Sequence, residues 1–122
     1  LAFFSPGLNL QHREIYDVAS SIDLMPTIMG LLSISYTNTT LGKNLLVTNR
    51  KGCNAFLFTA SNSTYGLISN NYYVIANVDG THIVYDMINN NMINIANPEI
   101  NKMKKLNNGI YHYSKFLRYH NE

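Results

Sequence analysis

A single cysteine, Cys53, stands in the 122 residues. No disulfide can form within the chain, and cysteine usage does not fix a redox compartment. Lys51 is the kind of neighbouring cation that favours a thiolate. Neither a base nor an orienting partner accompanies Cys53, however, so a structural thiol is expected. Charge is equally scarce: Asp, Glu, Lys and Arg make up 13% of the chain, and the net charge is +2. That balance is too weak to argue for a nucleic-acid partner, and the basic residues are scattered except for Lys102, Lys104 and Lys105. Those three fall on an expected helix and read as a solvated face. Long apolar runs are missing as well. None approaches the ~20 residues that a membrane span needs. Leu1 is not an initiator methionine and no basic segment precedes an apolar one, so no signal peptide is expected.

What is present is enough for a packed core. Hydrophobic residues account for 46% of the chain, far from the composition of disorder. The length suits one ordinary domain, in which roughly two thirds of the unfolded surface can be buried. The nine tyrosines lack the basic groove of a base-stacking sheet and read as packing residues. Asparagine clusters at Asn70-Asn71, Asn89-Asn90-Asn91 and Asn107-Asn108. Apolar residues interrupt each cluster, which argues for compositional bias and not a prion-like tract. Asn38-Thr39-Thr40 and Asn62-Ser63-Thr64 are glycosylation sequons, weak motifs that matter only in a glycosylating secretory pathway.

Along the chain, Leu1 to Phe4 read as a buried strand ended by Ser5-Pro6-Gly7. A polar loop leads to Ser20-Ser21-Ile22-Asp23-Leu24-Met25-Pro26-Thr27. Asp23 is expected to cap a helix, with Pro26 in its first turn, where a missing N–H costs little. The helix continues to about Ile34 and is apolar on nearly every side, so it is expected to be buried. Four strands of an antiparallel meander are expected over 55–60, 65–69, 72–77 and 81–86. Ser61-Asn62-Ser63, Asn70-Asn71 and Asp79-Gly80 are the turns, with Asn and Gly supplying positive φ. Asn97-Pro98-Glu99 then opens a helix. Its apolar face is read as Ile100, Met103, Leu106, Ile110, Tyr113 and Leu117, and Gly109 is expected to bend or break it.

The segment from Ser21 to Ile34 resembles a stretch typical of sulfatases and lipoteichoic-acid-synthase-like phosphotransferases of the alkaline phosphatase superfamily. There an Asp, two residues and Pro-Thr open a buried helix that ends in a Leu-Leu-Gly-Ile type sequence. Ser33 stands where that glycine commonly sits. Phe3-Phe4-Ser5-Pro6-Gly7 resembles the family strand ending in Pro-Gly. Leu41-Gly42-Lys43-Asn44-Leu45-Leu46 resembles the Gly-Arg-Ser-Leu-Leu element, and Val84-Tyr85-Asp86-Met87 the Leu-Tyr-Asp-Leu strand. Beyond it Asn90-Asn91 replaces Asp-Pro, no Glu follows, and Asn94-Ile95 arrives early, which favours a divergent branch over the arylsulfatases.

The resemblance implies a fold class of α/β for the whole enzyme and α+β for this portion alone. Residues 1–50 would end the sulfatase-like α/β domain as strand, loop and buried helix. Residues 51–122 would form an antiparallel-sheet subdomain of about four strands with a closing helix. It further implies a metal-dependent hydrolase or phosphotransferase acting on a sulfate ester, phosphoglycerol or phosphoethanolamine. The nucleophile would be Thr, Ser or modified Cys beside manganese, magnesium, calcium or zinc. The implied place is the extracytoplasmic face of a bacterial membrane or the periplasm. None of the family's nucleophile or metal motifs occurs in this sequence, so no catalytic, cofactor-binding or metal-ligating residue is assigned. The expected partner is the upstream part of the same polypeptide, and the isolated chain is expected to self-associate.

Local residues do not replace the missing motifs. His12, His82, His112 and His120 are far apart and show no paired spacing with a glutamate between. His12 and Arg13 follow the first strand, where loops of open α/β sheets border ligand crevices, so a substrate contact there stands beside a plain surface loop. His82 is expected to find a cross-strand partner. Asp23 beside Ser20 and Ser21 reads as a cap and not as a catalytic base. Two functions remain at this point: a structural portion that completes a larger α/β enzyme, or an independent module whose sheet binds a peptide or glycan. An opening strand and an all-apolar helix want a larger parallel sheet to pack on, which favours the first.

Overall fold

The computed structural model describes Gly7 and residues 12–47, 54–59 and 63–120. The strand expected at Leu1–Phe4, Cys53 with Lys51, and the Ser61-Asn62 part of the first turn lie outside the described residues. The architecture is α+β, a five-stranded antiparallel sheet with a C-terminal helix. A 3-10 turn at Ser21–Asp23 runs into α1, Leu24–Leu31. The strands are β1 (Ala55–Phe58), β2 (Thr64–Ile68), β3 (Tyr72–Asn77), β4 (His82–Asp86) and β5 (Asn91–Ile93). Helix α2 spans Pro98–His120. The strands pair in sequence order, a simple meander.

Because side chains alternate across a strand, the register decides which residues share a face. Phe56, Leu67, Val74, Val84 and Ile93 are successive cross-strand partners and form one row across all five strands. Phe58, Tyr65, Ala76 and His82 form the adjacent row on that face. Helix α2 lies over it: Ile100 and Met103 pack with Leu67, Val74 and Val84, and Tyr111 packs with Tyr65 and Ala76. Leu67, Val74, Ala76 and Ile100 retain at most 1% of their exposure. Burying such side chains contributes about 1.5–3 kcal/mol each, so this seam is the main source of stability.

The fifth strand was not legible as one. Asn91-Met92-Ile93 is short and opens within an asparagine run, and its pairing depends on the turn before it. Asp86 organises that turn, accepting from the Ile88 and Asn89 N–H groups at 2.8 and 3.0 Å, while Asn90 takes φ +50. The Asn89 backbone and side-chain donors, then Ile88, hold the Asp86 carboxyl below its ordinary value. At Asp79-Gly80 the expected positive φ is present, with Gly80 at +87. At Asn70-Asn71 it is not. There the Ser69 hydroxyl accepts from the Asn71 and Tyr72 amides at 3.3 and 3.0 Å, and the turn closes without a left-handed residue.

Helix α2 starts where its sequence signal lies. Asn97 Oδ1 accepts from Glu99 N–H at 2.8 Å, and Asn97 Nδ2 reaches Tyr72 Oη at 3.1 Å. The helix runs unbroken through Gly109, contrary to the expected bend. Its buried face matches the expected one at Ile100, Met103 and half-buried Ile110, but is rotated beyond them. Ile100 and Met103 face the sheet, but the next buried positions are Asn107 and Tyr111. Leu106, Tyr113 and Leu117 are 42%, 63% and 39% exposed. The sheet explains the rotation, because Tyr65 offers a ring that stacks on Tyr111 at 4.1 Å and a carbonyl that accepts from Asn107 Nδ2 at 3.5 Å. Ring stacking and a satisfied carbonyl outweigh the aliphatic stripe once Met103 has fixed the helix on its seat.

Helix α1 ends in a Schellman motif: Ile34 N–H donates to Met29 C=O at 2.9 Å and Ser33 N–H to Gly30 C=O at 3.3 Å. Ser33 carries φ +56, a conformation that suits glycine. A Cβ at Gly109 would meet nothing within 4 Å. Two substitutions test these backbone positions by chemical denaturation. Gly109→Ala should stabilise the chain by about 0.5–1 kcal/mol. Ser33→Gly should stabilise by about 1 kcal/mol, from relief of the left-handed strain.

Candidate functional site

The residues singled out from sequence fall in three separate places. His12 is exposed and lies 3.4 Å from Glu14, and Tyr16 donates to the same Glu14 carboxylate. Arg13 Nη1 donates to Leu46 C=O at 2.8 Å, so its guanidinium helps hold the loop after α1. His82 sits in β4 opposite Ala76, and its Nε2 is buried without a hydrogen-bond partner. His112 packs edge-on to Tyr111, and His120 stacks on Phe116.

Asp23 takes part in capping the helical segment, as the third residue of a capping box with Ser20 at the 3-10 turn that runs into α1, and it also holds a second, distant partner. It is buried, with 6% of its exposure left, and makes no side-chain cap bond to α1. Its Oδ2 accepts from Ser20 N–H at 2.8 Å and its Oδ1 from Lys43 N–H at 2.7 Å. Thr27 completes the arrangement one turn later. Its hydroxyl donates to Asp23 C=O at 2.6 Å and accepts from Leu45 N–H at 3.0 Å. Two side chains of one helical turn thus hold alternate amides of a loop about 20 residues away. Asn38 Nδ2 adds a bond to Gly42 C=O at 2.7 Å, and Asn44 Oδ1 accepts from Leu46 N–H at 2.9 Å. The loop lies so close to the helix that a Cβ at Gly42 would collide with the Ile22 carbonyl, and one at Gly30 with the Asn44 side chain. These carboxylate and hydroxyl groups bond backbone groups of α1 and the loop, so the cluster works as a clasp between the two.

The described residues do not fit a divalent metal. No group of three His, Cys, Asp or Glu side chains comes together among them. The buried carboxylate Asp23 spends both oxygens on backbone amides, and Asp79 and Asp86 are tied into their own turns. No helix among the described residues is long and apolar enough to cross a membrane.

The feature that sequence reasoning missed lies at the far end of α2, where the helix passes the edge of the sheet. A cleft of about 550 Å³ opens there, lined by Phe58, Val78, Tyr111, Ser114, Lys115 and Arg118. Phe58 and Tyr111 rings are 6.0 Å apart, and Lys115 Nζ lies 5.1 Å from the Tyr111 centroid. Burial, and then the neighbouring Tyr111 phenol, hold the Tyr65 hydroxyl above its ordinary value. The Tyr65 hydroxyl therefore stays protonated and donates to Asn108 Oδ1 at 2.9 Å. The spacing of Tyr111, Ser114, Lys115 and Arg118 along one helical side was the only available signal, and it needs the partners on β1 and after β3 to have meaning.

Comparison with protein-family models, with curated proteins and with solved structures gives no match for this chain.

The clasp predicts a specific loss. Asp23→Ala leaves the Ser20 and Lys43 amides without their acceptor and should cost about 2 kcal/mol, beyond a simple cap deletion. Asp23→Asn, which can accept through one oxygen only, should cost about half as much. Urea denaturation of the three proteins measures both values. An unchanged midpoint for Asp23→Ala would remove the clasp from the stability of the chain.

Proposed function

We propose that this chain is the non-catalytic closing portion of a larger sulfatase-like hydrolase or phosphotransferase, with a structural role in its own residues. The observation that supports the reading most is the clasp. The two sequence elements that resemble the family meet there: Asp23 and Thr27 accept from the Lys43 and Leu45 amides, and Gly42 lies against the Ile22 carbonyl. The residue that departs from the family pattern, Ser33, occupies a φ +56 position where the family's glycine is physically suited.

Uncovered apolar surface points the same way. Helix α1 buries Pro26 and Thr27 but leaves Met25 55% and Leu32 50% exposed, so the expected burial is not provided by this chain's described residues. The sheet face opposite α2 carries Ile68, Tyr73, Ile75, Ile83 and Tyr85, all half-buried, and exposed Met92. Contiguous apolar surface of this kind marks a place where other protein packs. The catalysis proposed for the larger enzyme belongs to residues outside this sequence, and no step is routed through the side chains described above.

The test is to determine the coding sequence upstream of Leu1 and express the extended polypeptide. It should contain an Asp-His pair and a Thr, Ser or Cys nucleophile. It should also turn over a chromogenic sulfate ester or phosphodiester in a chelator-sensitive manner. Residues 1–122 alone should show neither turnover nor stoichiometric metal binding by calorimetry, and should elute as self-associated species in size-exclusion chromatography. An upstream sequence without these motifs, or chelator-sensitive turnover by residues 1–122, would overturn the reading.

A further inference from the structure

We propose that the cleft beneath the end of α2 binds a small organic anion with a flat apolar body, of the class of aromatic carboxylates. Three features converge on that chemistry. The first is the shape and lining. Phe58, Val78 and Tyr111 give apolar walls, and the volume of about 550 Å³ lies within the ~300–1,000 Å³ usual for small-molecule sites. The second is ring order. Tyr111 is held by its stack on Tyr65, parallel within 3°, and Phe56 meets Phe58 edge-on at 4.7 Å, so the two rings flanking the cleft are braced from behind. Tyr111 is covered by Tyr65 on one side and by the Lys115 ammonium over its ring, so the ring surface offered to a flat ligand is that of exposed Phe58, with the cation beside it.

The third is charge. Lys115 and Arg118 line the cleft, and no carboxylate does so among the described residues. Along α2 the imbalance is complete from Ile100 to His120: Lys102, Lys104, Lys105, Lys115 and Arg118 are unopposed by any Asp or Glu in that span. Asp79, next to Val78 in sequence, turns Oδ1 to the Thr81 N–H at 2.8 Å and the Thr81 hydroxyl at 2.7 Å; it stays anionic but is not among the residues lining the cleft. Ser114 already donates to Tyr111 C=O at 2.8 Å. The charged donors lining the cleft are therefore the Lys115 ammonium and the Arg118 guanidinium, beside the Tyr111 phenol. Arg118 can meet a carboxylate through two parallel N–H bonds, which a neutral group of the same shape cannot match. The inference does not depend on the sulfatase-like reading and is tested separately from it.

The probe is 2-naphthoate, titrated at neutral pH into the 15N-labelled 122-residue chain and followed by amide shifts. Saturable shifts are expected at Phe58, Val78 and the Tyr111–Arg118 turns of α2. 2-Naphthamide has the same rings without the charge and should bind about tenfold more weakly. Octanoate, a flexible acyl carboxylate, should also be weaker and separates a flat-ring ligand from a lipid chain. Lys115→Gln and Arg118→Gln alter exposed side chains and should each weaken 2-naphthoate about fivefold while leaving 2-naphthamide unchanged. Absence of saturable cleft shifts at millimolar ligand, equal binding of acid and amide, or octanoate binding as tightly as 2-naphthoate would overturn the proposal. Shifts confined to Tyr113, Phe116 and Leu117 on the outer stripe would overturn it too.

Discussion

The row of Phe56, Leu67, Val74, Val84 and Ile93 under Ile100 and Met103 is the contact on which the rest of the structure depends. A meander of short strands has little stability without a cover on one face. Here one helix supplies that cover, and the helix in turn is seated by residues that only the assembled sheet brings together. Asn97 connects the two by capping α2 and bonding the Tyr72 hydroxyl, so the start of the helix is fixed to the sheet before its first buried side chain. The seat also carries a cost. Asn107 is fully buried with its Oδ1 unpaired, and His82 Nε2 in the adjacent row has no partner either. Such groups commonly take a buried water, and they mark the least settled part of an otherwise apolar seam.

The clasp around Asp23 and Thr27 works by a different principle. It buries few apolar atoms and instead satisfies amides, using two side chains to fix a loop that has no secondary structure of its own. Its tie to the sheet is polar as well: Asn70 in the β2–β3 turn accepts from Val18 N–H at 2.9 Å and donates to Asp17 at 3.0 Å. The N-terminal half is thus held largely by hydrogen bonds around buried Leu45, while Met25 and Leu32 stay exposed.

Much of the α+β layout was legible from local chemistry. Strand β1 coincides with a Phe-Leu run and β2 to β4 with runs rich in Tyr, Val and Ile, and β3 begins and ends where the residues indicate. Pro98 after Asn97 marks the start of α2, and Gly80 its turn, because each acts through its own backbone dihedrals and needs no distant partner. Strand β5 was not legible, since three residues after an Asn-rich turn gain strand geometry only by pairing with β4. The continuity of α2 through Gly109 was not legible either. A helix interior tolerates the lost alanine stabilisation when packing on both sides of the glycine holds it.

Local sequence determined which segments are helix, strand or turn, and which residues could bury a face, because propensity, capping and alternation act over a few neighbours. Only the tertiary structure decided which side of α2 meets the sheet. Leu106, Tyr113 and Leu117 compete there with Asn107 and Tyr111, and the outcome rests on the ring and carbonyl that Tyr65 presents from a strand over 40 residues away. The same holds in part for Asp23: its capping box with Ser20 is local, but the bond from the Lys43 N–H to its other oxygen exists only once the loop is folded against α1. The cleft at the end of α2 belongs to the same category. Phe58, Val78 and Arg118 have no relation in sequence, and become one surface where a 23-residue helix outruns the sheet beneath it.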